Sequence, residues 1–231
     1  MYGKDTGHTL IDAVRAVRKS GVERIRLGSL EADLIDDGLL DELSKMKEFC
    51  PQFHISAQSG SDSVLKRMNR KYTSDEYIDL VKKIHEKFEN PTVTTDIIVG
   101  FEGETDEEFE QSIVLAMKAG FSKIHVFPYS IRPGTKAAES KNHVSENIKR
   151  ERAAALTEAG KEIADKFLKS QIGTKHSVLF EKYDGIYNYG HTKNFIYVKV
   201  VNINSLENMI CDVIIKDIDG EECSGVLCSE N

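Results

Sequence analysis

Cysteine is scarce in this sequence, and its four residues are widely separated: Cys50, Cys211, Cys223 and Cys228. Four cysteines without regular spacing are too few for a disulfide framework, so we expect reduced thiols. Cys223 and Cys228 have no second pair at metal-ligand spacing, which argues against a zinc site there. Hydrophobic runs are also short, and none approaches the roughly 20 residues of a membrane-spanning helix. Residues 1–5 lack the pattern of a signal peptide, and we therefore predict a cytoplasmic protein.

An excess of positive charge is missing as well. The chain has 38 acidic and 31 basic residues and a formal net charge of −7, which excludes a uniformly basic nucleic-acid-binding protein but not a local basic patch. The seven histidines show no metal-binding spacing along the sequence, so we predict no metal site. The length of 231 residues suits one large domain followed by a small one.

Residues 1–170 alternate between helical and strand patterns. Helices are predicted where apolar residues recur at helical spacing or follow a Thr-x-x-Glu capping box, namely at His8–Ser20, Leu39–Met46, Thr73–Phe88, Thr105–Gly120 and Ser145–Ser170. Short apolar or β-branched runs predict the strands Val22–Leu30, Phe53–Ala57, Thr92–Val99 and Lys123–Phe127. Strands that alternate with helices of this length indicate a parallel sheet. Four strands cannot close an eight-fold barrel, so the sheet is either a small open one or part of a larger barrel.

Residues 171–231 have a different character. Segments rich in Val, Ile, Tyr and Phe recur between turn signals, which include the hairpin dipeptides Asp184-Gly185 and Asp219-Gly220. The predicted strands are Lys175–Lys182, Gly185–Tyr189, Phe195–Val201, Asn208–Lys216 and Glu221–Leu227. About five short strands in this space predict a small all-β barrel of the oligonucleotide-binding kind. We therefore predict two domains, 1–170 and 171–231.

Small, polar and glycine-bearing segments follow each predicted strand of the first domain. They begin at Gly28, Gln58, Gly100 and Pro128. Because ligands of parallel α/β folds bind at the carboxyl ends of the strands, the four loops together predict a site for a polar, nucleotide-like ligand. Each loop taken alone is equally well explained as ordinary turn chemistry.

Individual residues of these loops allow two interpretations. Gln58 can donate and accept hydrogen bonds to ribose or serve a turn, and Gly100 allows a ligand ring to approach or only forms a tight turn. Arg67 and Arg70 could meet a carboxylate, although such basic runs are usually solvated. Glu102 and Glu104 could form an acid–base pair, but Glu104 near a helix start is better explained by the helix dipole.

Several motifs occur in an order typical of one family. They are Gln58-Ser59-Gly60-Ser61, Met68-x-Arg70, the run Thr95–Thr105, and Tyr129-Ser130-x-Arg132-x-Gly134-Thr135. This ordered set resembles the radical S-adenosylmethionine methylthiotransferases that modify tRNA, and residues 171–231 resemble their C-terminal TRAM domain. The segment Phe127–Thr135 is most similar to the branch that acts on N6-threonylcarbamoyladenosine next to the anticodon, with the isopentenyladenosine branch as its nearest competitor.

The sequence also departs from that family. The family has a Cys-x-x-x-Cys-x-x-Cys loop for one [4Fe–4S] cluster and three further cysteines for a second, and this sequence contains neither set. Glu102 stands where the family commonly has proline. The resemblance therefore implies the last four βα units of a partial radical-SAM barrel plus the TRAM-like domain. It also implies that the chain by itself holds no cluster and is inactive.

The resemblance further implies a mechanism and a cofactor site. In the family, a reduced cluster cleaves S-adenosylmethionine to a radical that abstracts hydrogen from C2 of the modified adenine. Sulfur then comes from the second cluster, and another S-adenosylmethionine supplies the methyl group. The matching positions for S-adenosylmethionine are the ribose or amino-acid contacts Ser29, Glu31, Gln58 and Ser59, the carboxylate partner Arg70, and the adenine neighbours Val99, Gly100, Phe127 and Tyr129.

The second domain is expected to contact the tRNA anticodon stem-loop. Aromatic, basic and amide side chains cluster around one turn, where stacking and a cation could meet RNA. They are Tyr187, Tyr189, His191, Lys193 and Asn194. Ordinary half-buried strand positions explain Tyr187 and Tyr189 equally well.

Two other functions are compatible with the sequence. One is a stand-alone RNA-binding module without catalysis. The other is a small hydrolase or lyase that uses Glu102 and Glu104, although no nucleophile elbow or P-loop is present. The expected partners also include the missing N-terminal half of the same enzyme and, through the free edge of Val22–Leu30, a second copy of the chain.

Overall fold

The computed structural model describes residue 5 and residues 7–228, so residues 1–4 of the N-terminal segment considered above lie outside it. The first part of the chain has the six helices α1 to α6, in chain order Leu10–Arg18, Asp37–Ser44, Asp62–Arg67, Ser74–Lys87, Asp106–Ala119 and Glu146–Ser170. Its four strands, β1 to β4, are Ser29–Leu30, Gln52–Ile55, Thr92–Val99 and Lys123–Pro128. They form one parallel sheet in the order β1-β2-β3-β4. In the described part of the chain, no helix is both long and apolar enough to cross a membrane.

Alternation along β3 separates the two faces of this sheet. Val93, Ile97 and Val99 are buried in a core shared with residues of the helices, including Tyr77, Leu115 and Leu156. Thr94, Asp96 and Ile98 point to the opposite side and are only half-buried. We call this second side the open face. Its polar side chains are therefore available to a ligand, whereas the helix side holds the fold together.

The two helix starts predicted from capping boxes are confirmed, whereas α1 and α2 begin two residues later and two residues earlier than predicted, at Leu10 and Asp37, and α3 was not predicted. Thr73 and Glu76 cap α4 reciprocally, as do Thr105 and Glu108 at α5. Gly120 ends α5 in the left-handed conformation, with φ of 65°, which a residue with a Cβ adopts only at a cost.

The first predicted strand was too long. Only Ser29–Leu30 pairs with β2 as a ladder, and a single bridge joins Ile25 to Phe49. In the same segment, the Arg24 guanidinium donates to the backbone oxygens of Ser177 and His191 at 2.9 Å each. This segment is therefore held both by the second part of the chain, through Arg24, and by backbone hydrogen bonds of Ile25 with Glu48 and Cys50, each 2.8 Å long. Self-association through its edge stays a prediction.

The second part of the chain forms a closed barrel with strand order β5-β6-β7-β9-β8. Its strands β5 to β9 are Lys175–Tyr183, Tyr187–Thr192, Tyr197–Val201, Ile210–Asp219 and Glu222–Leu227. All pairs are antiparallel except β7 with β9. A Cβ on Gly190 would lie 2.0 Å from the backbone oxygen of Leu179, so closure requires glycine there. This is the small all-β barrel that the sequence predicted.

The barrel packs against the amino ends of the sheet strands. Lys193 Nζ donates to the backbone oxygen of Lys47 at 2.6 Å, just before β2. At the start of β3, Thr92 Oγ1 donates to the backbone oxygen of Asn194 at 2.6 Å. Lys123, which begins β4, pairs with Glu221 at 2.8 Å. The opposite, carboxyl ends of the strands thus stay clear of these contacts.

Candidate functional site

The carboxyl edge of the sheet carries the residues predicted to bind a nucleotide-like ligand. Ser29 and Glu31 are exposed beside the end of β1. Arg70 Nη1 lies 3.7 Å from Glu31 Oε1, while its Nε is buried without a hydrogen-bond partner among the described residues. A guanidinium with an unused buried donor is suited to bind an anionic group such as a carboxylate.

Gln58 is held in an unusual backbone conformation at this edge. Its φ is 66°, and its backbone exchanges hydrogen bonds with Asp96 and Ile98 of β3 at 2.8 and 2.9 Å. The left-handed conformation is uncommon for a residue with a Cβ and is often found at functional sites. Its side chain is half-buried, so Gln58 remains a candidate contact.

Tyr129 lies beside the end of β3, because its backbone nitrogen donates to Val99 at 2.9 Å. Its ring meets Phe101 edge-to-face with centroids 4.9 Å apart, and its hydroxyl is buried without a partner among the described residues. A buried hydroxyl without a partner marks a place where a polar ligand group would be stabilised. Phe127 is half-exposed on the open face nearby, as a stacking contact requires.

Three other predicted contacts are placed differently. The Val99 side chain is fully buried in the helix-side core, so only its backbone reaches the edge. Ser59 is also buried, and its hydroxyl accepts from the backbone nitrogen of Ser61. The glycine at Gly100 serves packing, since a Cβ there would lie 2.4 Å from Cγ of Lys149. Lys149 itself is buried with its ammonium 5.5 Å from the Tyr129 ring centroid, and no sequence pattern singled it out.

The two glutamates of the hydrolase hypothesis do not form an acid–base pair. Glu104 is buried and accepts from Gly100 N at 2.7 Å and from Arg152 Nη1 at 2.8 Å. Burial raises the pKa of this carboxyl, against the opposing effects of Gly100 and Arg152. Glu102 instead accepts from the Ser140 hydroxyl. Glu104 therefore has a structural role, as the sequence analysis favoured. The interaction that fixes it is a buried ion pair with Arg152 and not the helix dipole alone.

Arg67 pairs with a carboxylate of this chain, so its interpretation as a contact for a ligand carboxylate stays a prediction. Its guanidinium donates to both carboxylate oxygens of Glu108, at 2.8 and 2.7 Å. Glu108 also accepts from Ser63 and from the backbone of Thr105. These donors, Arg67 first, lower the pKa of Glu108 to about 2.

This pair makes a prediction for acid stability. A depressed carboxyl pKa contributes stability that is present above the unfolded-state value of 4.5 and is lost as pH falls toward 2. In Glu108→Gln, the free energy of unfolding should therefore depend less on pH between 4.5 and 2 than in the unchanged chain. Urea titrations at several pH values measure this slope. Glu110→Gln, on the same helix and exposed, is the matched control, and an equal slope change in both variants would contradict the assignment.

A row of aromatic rings crosses the outside of the barrel; we call it the aromatic stripe. Each ring lies within 6.1 Å of the next, measured between centroids, in the order Tyr187, Tyr189, Tyr197, His191 and Phe195. Tyr189 stacks on Tyr197, and His191 stacks on Phe195 with centroids 4.2 Å apart. All five rings are half-buried or exposed. Such a surface is a platform on which nucleic-acid bases can stack.

The aromatic stripe continues onto the sheet through Arg26. The Arg26 guanidinium lies over the Phe195 ring, 3.9 Å from its centroid, and donates to Gln52 Oε1 at 3.3 Å. Gln52 in turn donates to Thr94 Oγ1 at 3.5 Å on the open face. Arg26, Tyr197 and Phe195 were not among the residues predicted for RNA. The alternation of β7 was a signal for Tyr197, but Arg26 is far away in sequence.

Two of the residues predicted for RNA serve the domain interface instead. Lys193 directs its ammonium to Lys47, as described above, and Asn194 is buried and donates to the backbone oxygen of Asn90 at 2.9 Å. A cation at the aromatic stripe is provided by Lys182, which lies 5.6 Å from the Tyr189 ring centroid and has no ion pair with any described residue. The sequence placed these side chains near one turn, but strand pairing decided which of them face solvent.

The cysteines do not fit an iron–sulfur cluster. All four lie in the described part of the chain, where Cys50 and Cys223 are buried. Burial raises the pKa of both thiols, to about 11 for Cys223, and a cluster requires thiolates. These four cysteines therefore do not provide a binding site for such a cluster.

Comparison with known proteins agrees with this fold. The sequence model of the radical SAM superfamily matches residues 2–116. Among solved structures, coproporphyrinogen III oxidase (HemN) from Escherichia coli superposes with a TM-score of 0.54 at 16% identity, over 89% of this chain and 50% of that one. The sequence-model match thus identifies a radical SAM domain in residues 2–116, and the solved structure shares its fold.

Curated relatives then identify the family. The threonylcarbamoyladenosine tRNA methylthiotransferase MtaB of Thermotoga maritima is 40% identical over 183 residues, which is 79% of this chain and 42% of that protein. The tRNA-2-methylthio-N(6)-dimethylallyladenosine synthase of Alkaliphilus oremlandii is 37% identical over 215 residues, or 90% and 45%. The chain belongs to the radical SAM tRNA methylthiotransferase family. It spans less than half the length of these two relatives.

Proposed function

We propose that this chain is part of an enzyme that adds a methylthio group at C2 of N6-threonylcarbamoyladenosine next to the anticodon of tRNA. In this proposal the carboxyl edge of the sheet holds S-adenosylmethionine and the aromatic stripe guides the RNA. The family membership and the names of the relatives support it. The observation that carries it is the continuous path from the aromatic stripe through Arg26 and Gln52 to the open face.

The residues at the carboxyl edge fit S-adenosylmethionine. Arg70 would bind its carboxylate with the unused Nε, and Ser29, Glu31 and Gln58 would meet the ribose or amino group. The buried Tyr129 hydroxyl and the exposed Phe127 ring would border the adenine. When bound, S-adenosylmethionine supplies the methyl group and the radical chemistry of the family. The contribution of this chain is to fix its position relative to the target base.

The aromatic stripe explains how an acidic protein can bind RNA. Phosphate contacts alone would require many lysines and arginines, and the chain has a net charge of −7. Base stacking does not require net positive charge, because every base has a π face. Lys182 and Arg26 add cations at two places along the row.

Substitutions along the aromatic stripe test this part of the proposal. Tyr189→Ala should weaken binding of the anticodon stem-loop by about 1–3 kcal/mol, the usual contribution of one stacked base. Tyr189→Phe keeps the ring and should bind nearly as well as the unchanged chain. Lys182→Ala should lower the salt slope by about one phosphate contact. Fluorescence anisotropy with labelled RNA at two salt concentrations measures all three.

Two controls separate this surface from others. Lys216→Ala removes an exposed lysine from β8, outside the aromatic stripe, and should bind RNA like the unchanged chain. Lys193→Ala should affect domain docking more than the salt slope, because its ammonium contacts Lys47. If Tyr189→Ala binds RNA as tightly as Tyr189→Phe, the aromatic stripe is not the RNA surface.

The branch is a separate part of the proposal. The Thermotoga maritima relative and the segment Phe127–Thr135 favour threonylcarbamoyladenosine, whereas the Alkaliphilus relative represents the isopentenyladenosine branch. Competition between stem-loops carrying either modification, titrated on the same chain, distinguishes the two. Preference for the isopentenylated RNA would assign the other branch. Equal binding of both and of unmodified RNA would favour an RNA-binding module without a catalytic role.

A further inference from the structure

Three neighbouring strands bring two histidines and an aspartate together on the open face. They are His54 of β2, Asp96 of β3 and His125 of β4, and one ligand atom from each lies within 4.8 Å of the other two. The register explains the cluster: His54 pairs with Thr94, Asp96 pairs with His125, and strand alternation points all three to one side. Because they are about 30 to 40 residues apart, no sequence spacing reveals them.

We propose that these three side chains bind a divalent first-row transition-metal ion, with zinc as the best fit. Two imidazoles and one carboxylate are common ligands of zinc sites in which a fourth position stays open. This site is distinct from the cysteine-bound clusters of the family. It rests on the geometry of the open face alone and does not depend on the proposed function.

The surroundings of the cluster suit such an ion. His54 Nδ1 lies 2.9 Å from Thr94 Oγ1, and the Ser56 hydroxyl donates to Asp96 Oδ2 at 2.8 Å. With metal on its Nε2, His54 would carry its proton on Nδ1 and donate it to Thr94. Partners of this kind orient ligating imidazoles and carboxylates in metal sites. They are already in place around His54 and Asp96.

Hydrogen bonding explains why His54 and Asp96 lie together, but it does not explain the position of His125 beside them. His54 Nε2 and Asp96 Oδ2 lie 3.1 Å apart, which a simple hydrogen bond explains. His125 is exposed, its ring centroid lies 5.9 Å from that of His54, and it makes no hydrogen bond within the described residues. A metal ion shared with His54 and Asp96 would explain why the His125 imidazole lies beside them without a hydrogen bond.

Charge and access also favour a cation. Lys123 lies two residues before His125 on the same face, but its ammonium is paired with Glu221 at 2.8 Å. Its repulsion of a bound cation is therefore reduced. The half-buried His54 and Asp96 and the exposed His125 leave a route for the ion from solvent. The open coordination position would accept water or an anionic oxygen.

The direct test is titration of chelator-treated protein with zinc by calorimetry, followed by cobalt with visible absorption. We expect one ion per chain. His125→Gln changes an exposed residue and should preserve the fold, yet it should weaken zinc binding at least about tenfold. Asp96→Asn should do the same, with thermal melting as the check that it folds. Thr94→Val should weaken binding by about tenfold while keeping one ion per chain.

His8→Gln is the matched control, because it removes an exposed histidine elsewhere and should leave zinc binding unchanged. Three results would overturn the proposal. The first is zinc binding that His125→Gln leaves unaltered, and the second is the absence of stoichiometric binding. The third is a cobalt spectrum with the intense near-ultraviolet band of thiolate ligation, which would place the ion on the cysteines.

Discussion

Arg152→Ala is expected to lower the free energy of unfolding by about 3–5 kcal/mol, the usual cost of removing one partner from a buried ion pair. Glu104 has a fully buried side chain, and its Oε1 depends on Arg152 Nη1 at 2.8 Å. Its other oxygen, Oε2, already lacks a hydrogen-bond partner among the described residues. Arg152 also donates to the backbone oxygen of Glu104 at 3.1 Å and to Asp106 at 2.7 Å. Loss of the guanidinium would leave the buried Glu104 carboxylate with no counter-charge and with only the hydrogen bond from Gly100 N at 2.7 Å among the described residues.

The cost should depend on pH in a defined direction. The pKa of Glu104 is raised above its ordinary value, mainly by burial. Removing Arg152 takes away a group that lowers this pKa, so the pKa should rise further. The ionised form is the penalised one, and the destabilisation should therefore be larger at pH 8 than at pH 4, where more of the carboxyl is protonated.

Urea unfolding followed by circular dichroism measures both effects. Arg150→Ala is the matched control, since Arg150 lies on the same helix, is exposed and, among the described residues, uses its side chain for a hydrogen bond to Asn147 alone. The double variant Glu104→Gln with Arg152→Met removes both charges and should recover part of the loss. If Arg152→Ala and Arg150→Ala have the same stability, the Glu104–Arg152 pair does not contribute as inferred.

The second large effect concerns redox chemistry. Purified 1–231, incubated with iron and sulfide under anaerobic conditions, should hold no stoichiometric [4Fe–4S] cluster and should produce no 5′-deoxyadenosine from S-adenosylmethionine. Cys50 and Cys223 are buried, and the four cysteines do not form the Cys-x-x-x-Cys-x-x-Cys motif. A cluster needs thiolates that converge on one place. We therefore expect cluster assembly and 5′-deoxyadenosine production to be absent, not merely reduced.

Visible absorption near 400 nm and a chromatographic assay for 5′-deoxyadenosine are the two measurements. The Thermotoga maritima relative, purified and treated in the same way, is the positive control for reconstitution. Replacing Cys211 and Cys228 by serine tests whether any iron retained by the chain is adventitious. A stoichiometric cluster that this double variant loses would show that the present cysteines can serve as ligands.

Much of the fold followed from local signals in the sequence. The capping boxes at Thr73 and Thr105 and the stop at Gly120 placed α4 and α5, because these interactions involve residues only a few positions apart. The eight-residue strand Thr92–Val99 was predicted with its observed limits, since a buried parallel strand is continuously apolar at its end. The prediction failed at Val22–Leu30, where Arg24 makes contacts with the barrel more than 150 positions away.

For the site, the sequence determined the family motifs and the edge of the sheet on which they lie. The motifs are contiguous, and the carboxyl ends of parallel strands must meet at one edge. Only the tertiary structure decided which side chains face that edge, because burial and register put Val99 in the core. Tertiary structure also assigned Lys193 to the interface, joined Arg26 to Phe195, and placed His125 beside His54 and Asp96. These pairs depend on packing between distant segments, which no local pattern of residues encodes.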